Sequence, residues 1–289
     1  MAPDGAVAAA ALYVVATPIG NLEDVTLRAL RLLGEVNLIA AEDTRAVRHL
    51  LAHHGIRAPE IVSCFEGNEA ARTEALCARV AAGEAVALVS EAGTPGISDP
   101  GARVIAAARA RGLRVEVVPG PSAVIAALVG AGLPTDRFTF LGFPPRTVGE
   151  RQALFGSLRA ERGTLVFYEA PGRAAATLAD LEATLGPSRR AELARELTKL
   201  FEERVAGTLA ELAARFAEAA PRGECVILVE GAGEAEAAAA RSQSIDVEAE
   251  VRRRLAAGEG PKEIAAALAL ATGRRRREIY QLAVALKGI

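Results

Sequence analysis

The chain has 289 residues, half of them apolar and about a quarter charged, the profile of a globular protein with room for two domains. A formal net charge of -2 gives no global attraction to nucleic acid, so any basic footprint has to be local. Cys64, Cys77 and Cys225 lie far apart in no paired spacing, which excludes a disulfide framework and fits small hydrophobes in a reducing compartment.

Ala6–Val15 is apolar but lacks a basic flank, so a signal peptide is not expected there. No apolar stretch has the length of a membrane span, and the expected location is the cytoplasm. From Leu12 onward, apolar runs alternate with amphipathic stretches. Leu12–Ala16 reads as strand, Val25–Leu33 as helix, Asn37–Ala41 as strand, Arg45–His54 as helix and Glu60–Cys64 as strand. Glu69–Ala82 reads as helix, Ala85–Val89 as a buried strand, Ala102–Arg111 as helix and Val115–Val118 as strand. The alternation predicts an α/β fold whose parallel sheet is covered on both faces by helices.

Pro119-Gly-Pro-Ser122 breaks the pattern and places the first domain at 1–119. Ser122 is positioned to cap a helix over Ala123–Val129, which stops at Gly130-Ala-Gly-Leu-Pro134. A second α/β domain is expected over 120–231. Its strands read as Arg137–Leu141, Leu165–Tyr168, Ala191–Arg195 and Cys225–Glu230, and its helices as Glu150–Arg159, Ala174–Leu185 and Leu209–Ala219. Residues 232–245 lack a hydrophobic period and read as a linker, either mobile or a frayed helix. Three short helices follow within 246–289, at Val247–Ala257, Pro261–Ala271 and Arg275–Leu286, with Gly273 at the turn of a helix-turn-helix-like pair.

The loop Ser90-Glu-Ala-Gly-Thr-Pro-Gly-Ile-Ser-Asp-Pro-Gly101 follows a buried strand and carries more turn chemistry than a connection needs. Loops at the carboxyl ends of parallel strands are where open α/β sheets bind ligands. Glu42-Asp-Thr-Arg45 occupies the same kind of position; its residues fit either substrate contact or an N-cap with a surface ion pair. Phe167-Tyr-Glu-Ala-Pro-Gly-Arg173 and Ala194-Arg-Glu-Leu-Thr-Lys199 repeat the placement in the second half. Dinucleotide and Walker A fingerprints are absent, and so is a nucleophile elbow. His49 and His53 have the spacing of a zinc pair but no third ligand nearby, so no metal is expected. Arg252–Arg254, Lys262, Arg274–Arg277 and Lys287, with Tyr280, give the C-terminal helices a basic character suited to nucleic acid.

Seven segments in order carry a resemblance: Leu12–Asp24, Glu42–Arg45, Ser90–Gly101, Val118–Ala123, Gly130–Phe138, Phe167–Glu169 and Ala194–Lys199. From Leu12 to Gly231 the chain resembles the branch of the tetrapyrrole methylase superfamily that modifies small-subunit ribosomal RNA. The resemblance implies two α/β domains with the cofactor in the cleft between them, plus a small C-terminal helical unit. It implies S-adenosylmethionine-dependent 2′-O-methylation of a cytidine in 16S ribosomal RNA near the decoding centre, by a homodimer acting on the small ribosomal subunit. Cofactor contacts are expected at Pro18, Gly93, Thr94, Ile97, Ser122 and Ala123, with Tyr168 and Ile227 on the adenine side. Location and side-chain chemistry make Asp43 or Glu196 a candidate base and Arg45 or Lys199 a candidate cation. Two positions depart from the expected pattern: Glu91 stands where Asp is expected, and Arg277 where Asn is expected. Two alternatives are a corrinoid or porphyrin-precursor methyltransferase of the same fold and a non-catalytic RNA-binding ribosome assembly factor. The first carries a G-x-G-P-G-D type loop where this chain has Thr17-Pro-Ile-Gly-Asn21.

Overall fold

The structure, a computed structural model, describes residues 10–244, 246–272 and 275–288. The chain divides into two compact units. The first comprises Met1–Gly130 with Ala194–Arg204 and Arg222–Val226; the second comprises Ala131–Leu193, Val205–Pro221 and Ile227–Ile289.

In the first unit, β1 (Ala11–Val15), β2 (Leu38–Ala41), β3 (Glu60–Ser63), β4 (Ala85–Val89) and β5 (Arg114–Val118) form one sheet in the order β3-β2-β4-β1-β5. All of its pairings are parallel. The connecting helices are α1 (Leu27–Glu35), α2 (Thr44–His53), α3 (Glu69–Ala81) and α4 (Ala102–Ala110), with α5 (Ala123–Gly130) after β5. Alternation along the strands sends Tyr13, Val15, Ile39 and Ala87 into a core with Leu32, Leu33, Leu50 and Leu51 of α1 and α2. Leu12, Leu38, Val86 and Leu88 point the other way, onto Leu76, Val80 and Val104 of α3 and α4. Both faces are covered, which is why these strands read as continuous apolar runs. Cys64 and Cys77 belong to the second core; burial pushes the Cys64 thiol up to about 11, so it acts as a small hydrophobe.

The second sheet runs β6-β7-β10-β8-β9. Its strands are β6 (Phe138–Phe140), β7 (Thr164–Glu169), β8 (Arg190–Arg195), β9 (Glu203–Thr208) and β10 (Cys225–Val229). Between them come α6 (Val148–Ser157), α7 (Pro171–Leu185) and α8 (Leu209–Glu218). β6 and β7 are parallel, and Phe155 of α6 meets Phe167 of β7 edge-on at 5.5 Å. The connection from β8 to β9, Glu196–Glu202, is too short for a parallel crossover, so β9 returns antiparallel. A capping box of Thr208 and Glu211 starts α8.

One strand departs from the expected pattern. β9 was not anticipated, because Glu203-Arg-Val-Ala-Gly-Thr208 has neither an apolar run nor clean alternation. Of the two forms expected for the linker, the helix is present as α9 (Glu234–Ser244), tied down where the buried Arg189 pairs with Glu236. Arg204 donates to the carbonyls of Ala126 (2.9 Å) and Ala127 (3.3 Å), joining its segment to α5 within the first unit. The C-terminal helices α10 (Val247–Ala256), α11 (Pro261–Thr272) and α12 (Arg276–Lys287) share a core of Val247, Val251, Ile264, Leu268 and Ile279. The expected turn at Gly273 and the neighbouring Arg274 lie outside the described residues.

Arg151 of α6 is buried, and its Nε donates to Asp180 of α7 at 2.7 Å. Asp180→Ala would leave that guanidinium charged and unpaired, a loss of about 3–5 kcal/mol. The double variant Arg151→Met/Asp180→Leu is expected to recover most of it, read as the urea midpoint at pH 7.

Candidate functional site

The carboxyl ends of β4, β1 and β5 are neighbours in the first sheet, so their loops emerge side by side. Two backbone hydrogen bonds join the first two loops: Thr17 N–H to Gly93 O at 2.8 Å and Gly93 N–H to Thr17 O at 3.1 Å. Gly93 has φ +77°, a conformation that favours glycine. The Thr94 hydroxyl donates to Pro121 O at 3.2 Å and ties in the third loop, where the Ser122 carbonyl accepts from Ala126 N–H. Pro18, Gly93, Thr94, Ser122 and Ala123 thus lie on three stitched loops, and Ile97 stands 42% exposed on the middle one.

At the end of β2, Asp43 is the N-cap of α2. Its Oδ1 accepts Arg45 N–H at 2.7 Å, and its Oδ2 pairs with Arg45 Nη2 at 3.1 Å. The Arg45 guanidinium holds the Asp43 carboxyl below its ordinary value. At this position the N-cap and the surface ion pair are both formed.

The turn after β8 is strained: Glu196 has φ +51° and Thr198, a β-branched residue, φ +66°. The Thr198 hydroxyl accepts Asn21 N–H at 3.1 Å, bringing the turn against the first loop. There Lys199 Nζ donates to Glu196 Oε1 (3.0 Å) and Glu224 Oε2 (2.9 Å). Partial burial works against the ammonium, but Glu224 and Glu196 outweigh it and hold Lys199 above its usual pKa. Lys199 in turn holds Glu196 below the usual carboxylate range. Gly20 makes the approach possible: a Cβ there would sit 2.5 Å from Lys199 Cγ.

These elements enclose a pocket of about 230 Å³ within the first unit. It is lined by Thr17–Gly20 and Leu22, by Ala46, Val47, His49 and Leu50 of α2, by Ser90–Ala92, and by Lys199 and Glu224. Pro18 and Lys199 line it; Asp43, Arg45, Glu196, Gly93 and Thr94 stand beside it on the same loops and turns. Carboxylates outnumber cations here, because Glu42 Oε2 also accepts Glu91 N–H at 3.1 Å. Burial, then Glu42, push the Asp99 carboxyl up to about 7, with Glu91 and Glu224 adding to the rise and a hydrogen bond from Ser90 opposing it. Gly20, Thr198, Glu224 and Asp99 were missed as site residues. Gly20, Thr198 and Asp99 lie in strand-end segments that the sequence singles out, while Glu224 carried no sequence signal. Among the described residues no group of three His, Cys, Asp or Glu is placed to hold a metal.

In the second unit, Tyr168 packs edge-on against Phe140 (4.9 Å) and Phe143 (5.6 Å), while Ile227 is fully buried in β10 and presents no side-chain surface. Glu169 accepts from Ala170 N–H (2.8 Å) and from the Thr177 hydroxyl (2.6 Å), with Arg173 at 3.3 Å. The Phe167–Arg173 cluster is thus turn and capping chemistry apart from Tyr168.

Residues 11–213 match the tetrapyrrole (corrin/porphyrin) methylase family. The chain belongs to the tetrapyrrole methylase family. Among curated relatives, this methylase is 50% identical over 225 residues to the ribosomal RNA small subunit methyltransferase I of Pseudomonas aeruginosa, covering 77% of this chain and 79% of that one. It is 49% identical over 221 residues to the protein of the same name from Synechocystis sp., covering 76% and 79%. In the Escherichia coli O157:H7 protein of that name, identity is 48% over 223 residues, covering 76% and 77%. Among solved structures, uroporphyrin-III-C-methyltransferase from Thermus thermophilus shares the fold at 23% identity and TM-score 0.57, over 76% of this chain and 94% of that one. Cobalt precorrin-4 methyltransferase does so at 18% identity and TM-score 0.57, over 76% and 95%.

The raised pKa of Asp99 has a stability signature. Between pH about 4 and about 7 the folded methylase keeps a proton that the unfolded chain has lost, so stability falls as pH rises through that window. Asp99→Asn should remove this contribution. Urea unfolding should show the variant gaining on the wild type between pH 4 and pH 8; an unchanged difference would assign Asp99 an ordinary pKa.

Proposed function

We propose that this methylase transfers the methyl group of S-adenosylmethionine to the ribose 2′-hydroxyl of a cytidine in 16S ribosomal RNA of the small subunit, near the decoding centre. It acts in this reading as a cytoplasmic homodimer. The observation that carries the proposal is near-50% identity over three quarters of both chains to proteins named ribosomal RNA small subunit methyltransferase I. Likeness to the tetrapyrrole enzymes is confined to the fold at 23% identity or less.

The chemistry of the site fits the cofactor. S-adenosylmethionine carries a sulfonium and an ammonium, and the pocket sets carboxylates of Glu91 and Glu224 against the single ammonium of Lys199. A nucleotide bearing phosphates would meet repulsion there, in keeping with the missing phosphate-binding fingerprints. Pro18, Gly93, Thr94, Ile97, Ser122 and Ala123 would hold the cofactor on the first unit, and Tyr168 and Ile227 are the residues that the resemblance adds from the second.

When bound, the sulfonium supplies an electrophilic methyl group, so the protein's tasks are alignment and charge. Holding the ribose oxygen in line can contribute up to roughly 7–11 kcal/mol. Asp43 and Glu196 are drawn below their usual pKa by Arg45 and Lys199, which makes them weak proton acceptors and suits them to orienting those cations. Lys199, charged and held by two carboxylates, is assigned to stabilise the oxygen as its proton leaves.

Labelled S-adenosylmethionine should transfer its methyl group to small ribosomal subunits and not to free tetrapyrroles; transfer to tetrapyrroles alone, or to neither, would overturn the reading. Lys199→Ala should lower kcat by about 10²-fold or more while cofactor binding persists. Gly20→Ala, which displaces Lys199 without removing it, should lower kcat in the same direction but less.

A further inference from the structure

We propose that the exposed basic face of α12, Arg275, Arg276 and Arg277 with Tyr280, holds the sugar-phosphate backbone of the RNA substrate, and that the arginine triplet of α10 does not. The inference rests on RNA being the methyl acceptor.

By sequence, the two triplets look equivalent. The structure separates them. On α10, Arg252 pairs with Glu248 at 2.7 Å and Arg253 with Glu250 at 2.6 Å. Arg254 pairs with Glu250 at 2.9 Å and Glu259 at 3.3 Å. The hydrogen bonds from Arg253, then Arg254, hold Glu250 down at about 2, so these pairs persist at any physiological pH. Their charge is locally neutralised. On α12, Arg275, Arg276 and Arg277 are exposed and, among the described residues, make no side-chain ion pair or hydrogen bond. They sit at the end of the helix where its dipole disfavours positive charge, so nothing within the fold rewards them.

Tyr280 is 38% exposed one turn beyond Arg276 and Arg277, offering a ring on which a base can stack. Lys287 is exposed two turns beyond Tyr280 on the same face. Ile279 and Ala283 anchor the helix in the core of the C-terminal helices beside this basic strip. A polyanion with unstacked bases matches this set of donors and ring. The pocket of the first unit, rich in carboxylates, cannot supply the Coulomb attraction for phosphates, so a surface elsewhere must.

The test uses the full chain. Arg275→Ala/Arg276→Ala/Arg277→Ala is compared with Arg252→Ala/Arg253→Ala and with wild type. Measured are methyl transfer to small subunits and binding of naked 16S RNA from 50 to 300 mM salt. The α12 variant should raise KM for subunits about tenfold or more with kcat and cofactor binding unchanged. It should also flatten the slope of log affinity against log salt by about 2 to 3. The α10 variant should leave the slope at the wild-type value. The triple Arg→Lys variant of α12 should restore the slope, which a misfolded surface would not do. Equal slopes in wild type and α12 variant, or equal losses from both helices, would overturn the proposal. So would an α12 variant that loses subunits but keeps naked RNA, which points to a ribosomal protein as the contact. A wild-type enzyme that methylates no RNA would instead overturn the reading on which the proposal stands.

Discussion

The site depends on two backbone hydrogen bonds, the mutual pair between Thr17 and Gly93. They join loops from two adjacent parallel strands, and parallel alignment is what places both loops at the same end of the sheet. That alignment requires strands buried on both faces, because each crossover lays a helix on the sheet. The apolar runs of β1, β2 and β4 are therefore the reason the loops meet. Once the first loop is fixed, Gly20 and Asn21 present a surface bare enough for Lys199 and Thr198 to approach.

That approach carries strain. Thr198 and Glu196 hold positive φ although neither is glycine. Three contacts over-determine the turn: Asn21 N–H to the Thr198 hydroxyl, Thr198 N–H to Glu202 at 2.7 Å, and Lys199 to Glu224. Such strain is tolerated where the geometry of one side chain matters, here the position of the Lys199 ammonium. The ammonium also holds the Glu196 carboxyl below the usual carboxylate range. Glu196 and Glu224 in return keep Lys199 charged, so the turn delivers a fixed cation and no adjustable base.

How much of this was legible in the sequence follows from the range of the interactions. β1, β2, β4 and β10 were readable because double-sided burial writes itself as an uninterrupted apolar run. The strand-end loops were readable because backbone turns demand Gly and Pro locally. β9 was not, since only Val205 is buried and its strand character comes from pairing beside β8. α9 was legible only as one of two alternatives, because its Ala- and Glu-rich stretch has no hydrophobic period and it is held by Glu236 meeting Arg189, 47 residues away. The same distance in sequence concealed Gly20, Glu224 and the raised pKa of Asp99, each defined by neighbours that only the fold supplies. Asp43 and Arg45 stood out by position, but their cap and ion pair are a matter of rotamer and hydrogen bond, which composition does not encode.

Charge is divided in this molecule by sign and by environment. The pocket holds carboxylates around one ammonium, a potential that favours the cationic centres of a sulfonium cofactor and disfavours phosphate. A protein whose net charge is -2 and whose pocket is acidic cannot attract RNA by its average field. The attraction has to come from cations that the fold leaves uncompensated, and the C-terminal helices show how narrowly these are chosen. Glu248, Glu250 and Glu259 silence one arginine triplet, whereas the next has no such partners among the described residues. Counting basic residues along the tail overstates the surface available to phosphate; subtracting the ion pairs leaves a face on one helix, with Tyr280 at its centre. Specific placement of a ribose at the methyl donor is then a task for the rigid loops, while capture of the polyanion is assigned to a surface that takes no part in the chemistry.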